Sequence, residues 1–318
     1  MGKRAFIFPG QASQYPGMGK NLYDQFPAAR AVFEEADRAL GFALTELCFS
    51  GSEDELRKTE NTQPAILTVS VAAHRVLAER GAAPDFVAGH SLGEYSALVA
   101  AGGLAFADAV RIVRNRGRYM QEAMPPGEGA MAAILGISSA QVEEICRKVT
   151  EGGHVAPANL NSPDQTVISG HAAAVKRAVE EASARGAKRA VVLPVSAPFH
   201  CELMLPAQVR LEQDLRAAAF QPLRCPLMNN ADAALVQSAD EARDGLIRQV
   251  CLPVRWEESV RELIELGVGT FVEVGPGNVL RGLLRQIDRS VHCCNVEDEK
   301  SLAATLEKLV AAGKETES

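Results

Sequence analysis

Residues 89 to 93 read Gly-His-Ser-Leu-Gly. A serine spaced between two glycines in this way matches the G-x-S-x-G pattern of an activated hydroxyl. Both halves of its required context are present: the apolar run Asp85 to Gly89 precedes it, and an apolar helical pattern follows. The glycines permit a sharp turn that exposes Ser91 Oγ, and the following helix offers its N-terminal dipole and amides to a developing oxyanion. The alternative is an ordinary small-residue turn with serine at a helix start. A serine hydroxyl is a poor nucleophile at neutral pH and needs a base within hydrogen-bond reach. Of the six histidines, His74 falls on a helical pattern, His90 adjoins the serine but points elsewhere on the turn, and His154 and His171 lie mid-chain. His200 and His292 remain. His292 comes late, where an α/β-hydrolase carries its base, whereas His200 ends the apolar segment Leu193 to Phe199. Spacing alone does not choose between them.

The elements that must position these groups follow an α/β order. A strand at Arg4 to Pro9 leads through the turn Gly10 to Gly19 into helical patterns over Asn21 to Leu40. Helix at Ala65 to Arg80, strand at Asp85 to Gly89, and helices from Ser91 and over Phe106 to Ala123 come next. The middle differs: strand at Ala130 to Ile137, helix from Ser138 to Val149 with Gln141 at capping-box spacing, strands at Val155 to Leu160 and Gln165 to Ser169, helix at His171 to Arg185, strand at Lys188 to Val195. That βαββαβ order is the ferredoxin-like pattern. A helix from Leu203 to Ala219, strands near Leu227 and at Thr270 to Val274, and a helix from Leu302 complete the chain, ahead of a charged tail, Lys314 to Ser318. The expected architecture is an α/β-hydrolase-like domain with a central parallel sheet, residues 1–127 and 197–318, interrupted by a ferredoxin-like insert, residues 128–196.

The composition, 47% hydrophobic and 23% charged over 318 residues, is that of a globular protein. A net charge of -7 argues against general nucleic-acid binding, which needs a concentrated basic surface. The longest wholly apolar or glycine stretch, Ala97 to Ala107, is about half a membrane span, and the N-terminal apolar run is too short for a signal peptide. A cytoplasmic protein without a membrane anchor is expected. The seven cysteines form no CxxC pair and no His/Cys cluster at zinc-finger spacing, so no metal is expected. Gly17-Met18-Gly19-Lys20 is not a phosphate loop, because Gln14 stands where its first glycine is required, and Gly267-Val268-Gly269 precedes a strand where a dinucleotide fingerprint would follow one.

Several separated segments resemble the malonyl-CoA:acyl carrier protein transacylase family: FPGQASQ at 8 to 14, NTQPA at 61 to 65, GHSLGEYSAL at 89 to 98, RNRGRYMQEA at 114 to 123, NLNSPDQTVISG at 159 to 170, VSAPFH at 195 to 200, and FVEVGPGNVL at 271 to 280. They span nearly the whole chain in consistent order. The resemblance implies a Ser91–His200 dyad, the imidazole oriented by the backbone carbonyl of Gln249, and an oxyanion hole from the amides of Gln11 and Leu92. It implies that Arg116 binds the malonyl carboxylate, with Gln63 lining the pocket and Phe199 crowding out branched extenders. The chemistry agrees, since a guanidinium forks onto a carboxylate and cannot lose its charge. Malonyl-CoA and acyl carrier protein would be the substrates, no cofactor would be needed, and a monomer is expected. Where the family often has glycine, this chain has Ala12, whose Cβ would be strained at positive φ. Lys188, Arg189, Arg281 and Arg285 are candidates for docking the acidic carrier, and Asn159 and Asn161 for tying the insert to the rim of the site. The competing readings are a malonyl acyltransferase serving a polyketide pathway, a serine hydrolase or thioesterase using His292, and a carrier-binding scaffold without turnover.

Overall fold

The computed structural model describes residues 2–149, 152–195 and 197–314, with side chains described as far as residue 310. Ser196, where the expected insert ends, and residues 315–318 of the charged tail lie outside the described residues. Among the described residues, ten strands form two sheets. They are β1 (Lys3–Phe8), β2 (Phe86–Gly89), β3 (Gly129–Leu135), β4 (Val155–Ser162), β5 (Gln165–His171), β6 (Arg189–Val192), β7 (Leu227–Met228), β8 (Leu235–Val236), β9 (Val268–Val274) and β10 (His292–Val296).

The larger sheet has the order β10-β9-β1-β2-β7-β8, parallel except for the β7–β8 pair. Its strands are apolar on both faces because both faces are covered. Along β1, Phe6 and Phe8 enter one core with Val87 and the helices Pro27–Leu40 and Thr59–Glu79, while Ala5 and Ile7 enter another with Phe86, Trp256, Leu263 and Leu284. The smaller sheet is wholly antiparallel, in the order β4-β5-β3-β6. Numbered within the insert this is 2-3-1-4, the ferredoxin-like arrangement. Ala132 and Ile134 of β3 face the two insert helices, Ser139–Lys148 and Ala172–Ala184, whereas Met131 faces the core of the larger domain. The helix after Ser138 starts with the expected capping box to Gln141.

One boundary differs in a way that matters. The helix expected from Ala65 begins at Thr59, with Pro64 inside it. Proline lacks the N–H that would reach the carbonyl of Glu60, and the Arg114 guanidinium donates to that oxygen instead, at 3.1 Å. Gln63 is therefore a buried residue within the helix.

Candidate active site

The carboxyl ends of β1 and β2 are paired in register at Phe8 and Gly89, and each runs into a tight turn. This end of a parallel sheet is where open α/β folds keep their ligand crevice. A Cβ on Gly89 would lie 1.9 Å from the Gly93 carbonyl carbon, and one on Gly93 would lie 2.0 Å from Phe8 O. Nothing larger than glycine fits at either position, so the turn holds Ser91 at φ 52, in the left-handed region. Ser91 is pinned from the loop after β7 as well: its amide donates to Asn230 Oδ1 at 2.7 Å, and Asn230 Nδ2 donates to Gly89 O at 2.7 Å.

His200 is buried, at φ 60, and its Nε2 lies 2.7 Å from Ser91 Oγ. Its Nδ1 lies 2.9 Å from the carbonyl oxygen of Gln249. A carbonyl can only accept, so Nδ1 carries the hydrogen and Nε2 presents its lone pair to the serine hydroxyl. Burial, and then the nearby charge of Arg116, push His200 down to about 3. The imidazole is therefore neutral and ready to accept a proton throughout the physiological range.

The amides of Gln11 and Leu92 have no hydrogen-bond partner among the described residues, and both residues line the cavity at Ser91. Ala12, between Gln11 and Ser13, adopts φ 83. The strain anticipated for a side chain at this position is present. Of the four non-glycine residues with positive φ among the described residues, Ala12, Ser91 and His200 all line this cavity and Ala233 does not. Strain of this kind persists only where the surroundings over-determine it.

Arg116 lies on the helix Phe106–Glu122 and is 1% exposed. Its neighbour Gly117 allows the close approach: a Cβ there would lie 2.6 Å from Thr59 O on the facing helix. Nη1 of Arg116 donates to Gln63 Oε1 at 2.9 Å, and Nη2 donates to Gln249 Oε1 at 3.0 Å and to Ser91 Oγ at 3.1 Å. All three acceptors are neutral. Among the described residues, Arg116 forms no ion pair. The cavity holds about 130 Å³, walled by Met120, Met131, Leu193 and Phe199 beside the polar groups. A cleft of about 660 Å³, lined by Arg57, Lys58 and Arg118, shares Gln11 and Val195 with it and leads to the surface.

Thus Ser91, His200, Gln11, Leu92, Arg116, Gln63, Phe199 and Gln249 converge on one cavity or its immediate wall. Asn159 lines it, and Asn161 receives the Nε2–H of His90 at 2.8 Å, so the insert is tied to the nucleophile turn. His292 is elsewhere. It pairs with Thr270 at the opposite end of the sheet, level with Arg4. By strand geometry that is about 13 Å down and about 14 Å across from Ser91. The four basic residues do not form one patch: Lys188 and Arg189 lie at β6, one edge of the small sheet, while the helix Val279–Ile287 that carries Arg281 and Arg285 packs against β4, the other edge. Sequence reasoning missed Asn230 and Glu94. The signal for Glu94 was a carboxylate within the otherwise apolar GEYSALVA helix; for Asn230, in a loop after a two-residue strand, there was little.

A hydroxyl held by a neutral imidazole acceptor, next to two free amides, is machinery for acyl transfer through a serine ester. Comparison with known proteins agrees on that class. Residues 5–309 match the model of the acyl transferase domain, and the chain belongs to that family. It is 49% identical over 310 residues to the malonyl CoA-acyl carrier protein transacylase of Bacillus subtilis, covering 97% of this chain and 98% of that protein. The enzyme of the same name from Escherichia coli is 47% identical over 304 residues, with 95% and 98% covered. Among solved structures, the malonyl CoA-acyl carrier protein transacylase of Coxiella burnetii superposes with a TM-score of 0.95 at 44% identity, covering 97% of this chain and 98% of that one. A malonyl-transacylase in complex with its type II PKS acyl-carrier protein superposes with a TM-score of 0.94 at 46% identity, covering 96% and 99%.

Proposed function

We propose that this acyltransferase moves the malonyl group from malonyl-CoA to the phosphopantetheine thiol of an acyl carrier protein, supplying extender units for fatty acid synthesis. The observation that carries the reading is Arg116: a buried guanidinium without an ion pair among the described residues, in contact with the nucleophile's oxygen. Such a group calls for an acyl chain that ends in a carboxylate. An acetyl group would leave the guanidinium unpaired, a difference of a few kcal/mol against it.

In the first half-reaction His200 Nε2 accepts the Ser91 proton as Oγ adds to the thioester carbonyl. The amides of Gln11 and Leu92 hold the oxyanion, each contributing on the order of 3 kcal/mol to the transition state. The C–S bond then breaks, CoA leaves with the proton from His200, and a malonyl ester remains on Ser91. The carrier thiol reverses these steps. All the groups come from one chain and no further electrophile is required, so we assign a monomer with no cofactor. Among the described residues no helix is long and apolar enough to cross a membrane. All seven cysteines are free, which suits the reducing cytoplasm, where we place the protein.

Intact-mass measurement after mixing with malonyl-CoA or acetyl-CoA, followed by addition of carrier protein, tests this reading. Malonyl accumulates on Ser91 and is discharged to the carrier; equal labelling by acetyl-CoA, or loss of the ester to water alone, would contradict it. The likeness to the polyketide complex favours a second carrier class, so fatty-acid and polyketide carriers belong in the same assay.

A further inference from the structure

Glu94 is the second residue of the helix behind the nucleophile turn, and its carboxylate is fully buried. Oε2 accepts from the Asn230 amide at 3.0 Å and from Gln249 Nε2 at 2.8 Å, while Oε1 has no partner among the described residues. Arg116 is buried too, and its Nε is likewise without a partner. The two charges meet through a single amide. Arg116 Nη2 donates to Gln249 Oε1, and Nε2 of that amide donates to Glu94. The backbone carbonyl of Gln249 receives the Nδ1–H of His200, so the same residue also touches the base.

We propose that Glu94 is the resident counter-charge of Arg116, replaced in that role by the carboxylate of the arriving acyl group, and that Glu94 takes up a proton as the acyl-enzyme forms. This rests on the malonyl reading of the site. Without substrate, and with Glu94 charged, the site holds one positive and one negative charge. With malonyl bound it holds two negative charges against one positive, and a low-dielectric interior disfavours the excess. The substrate carboxylate is bonded directly to the guanidinium, so the proton goes to the carboxylate held one amide away. Burial already raises Glu94 to about 7, opposed by its hydrogen bonds from Gln249 and Asn230 and by the charge of Arg116, and reinforced by Asp232. Arg248, ion-paired to Asp232, and Tyr95 on the same helix are the other titratable groups that feel it. Glu94 is thus a positioning residue that acts through Arg116 and Gln249. It balances the empty site, weakens malonyl binding while charged, and rebalances the site when malonyl leaves.

Because the thiol of released CoA stays protonated near pH 7, the acyl exchange itself is close to proton-neutral. A pH indicator followed in weak buffer as the wild-type protein reacts with malonyl-CoA therefore reads Glu94 directly. The expected signal is uptake of up to about half a proton per acyl-enzyme near pH 7, since only the charged half of the population has a proton to gain. In Glu94→Gln the uptake disappears. Its KM for malonyl-CoA falls about twofold at pH 7 and about tenfold at pH 8, and stays flat with pH, whereas the wild-type KM falls as pH drops through about 7. Intact mass recorded on the same samples separates the two ideas. A wild-type protein that is fully malonylated without proton uptake overturns the role of Glu94, as does a Glu94→Gln variant with the wild-type KM and pH profile. A wild-type protein that is not malonylated overturns the functional reading beneath it. The wild-type proton measurement stands even if the variant fails to fold.

Discussion

At the centre of the parallel sheet, His200 lies buried at the carboxyl end of β2, between a serine hydroxyl 2.7 Å from one ring nitrogen and a carbonyl oxygen 2.9 Å from the other. At the sheet's edge, His292 lies exposed at the first residue of β10. Both are the residue type that a serine nucleophile needs, and spacing in the chain does not choose between them. The difference is the environment that each strand end supplies. At the centre, neighbouring parallel strands deliver Gln11, Ser91 and Asn230 side by side, and the surrounding core removes water, so Ser91, His200, Asn230 and Gln249 bond to one another. At the edge there is solvent on one side and no such demand. Catalytic competence in this chain follows from the polar closure around His200.

If that closure is what distinguishes the centre, changes there should matter in proportion to how much buried charge or bonding they remove. Arg116→Ala should have the largest effect of this set, lowering kcat/KM for malonyl-CoA by about 10² or more and narrowing its preference over acetyl-CoA, since breaking a buried charge pair costs about 3–5 kcal/mol. Retained preference in competition assays would show that Arg116 does not read the carboxylate.

The pH profile gives the next contrast. An ordinary imidazole near 6.5 would become protonated and lose about tenfold in acylation rate one unit below that value. His200 is held down near 3, so its neutral form persists as pH falls. Single-turnover acylation should lack an acid limb at 6.5 down to about pH 5, and a limb at 6.5 would contradict a buried base.

Asn230→Ala removes the acceptor of the Ser91 amide and the donor to Gly89 in one change. A loss of about 2 kcal/mol is expected in denaturant unfolding, with acylation slowed as the turn loosens. The smallest effect is a gain: Ala12→Gly relieves a left-handed alanine and should stabilise the protein by about 1 kcal/mol. A destabilised Ala12→Gly would mean that the methyl group packs well enough to outweigh its backbone strain.

The same contrast explains what could be read from the sequence. The two turns were legible because a sharp bend at a strand end demands glycine, and the insert because its first helix carries a capping box and both of its helices a regular apolar period. The strain at Ala12 was legible for the same reason, as a Cβ in a glycine position. Asn230 was not, because β7 has two residues and no periodicity to detect. The part played by the Gln249 backbone carbonyl is independent of side-chain type, so resemblance alone pointed to it. The helices Ala239–Gln249, Trp256–Glu265 and Val279–Ile287 and the strand β10 went unrecognised among the charged residues of that stretch. Without them, nothing in the sequence separates Arg281 and Arg285 from Lys188 and Arg189, whereas in the fold the small sheet stands between the two pairs.

The most direct test compares the two histidines. His200→Ala and His292→Ala, each shown to be folded, are mixed with malonyl-CoA, and the malonyl ester on Ser91 is followed by intact mass. The account predicts that His200→Ala acylates at least about 10²-fold more slowly than wild type and that His292→Ala stays within about twofold. Loss confined to His292→Ala would contradict it.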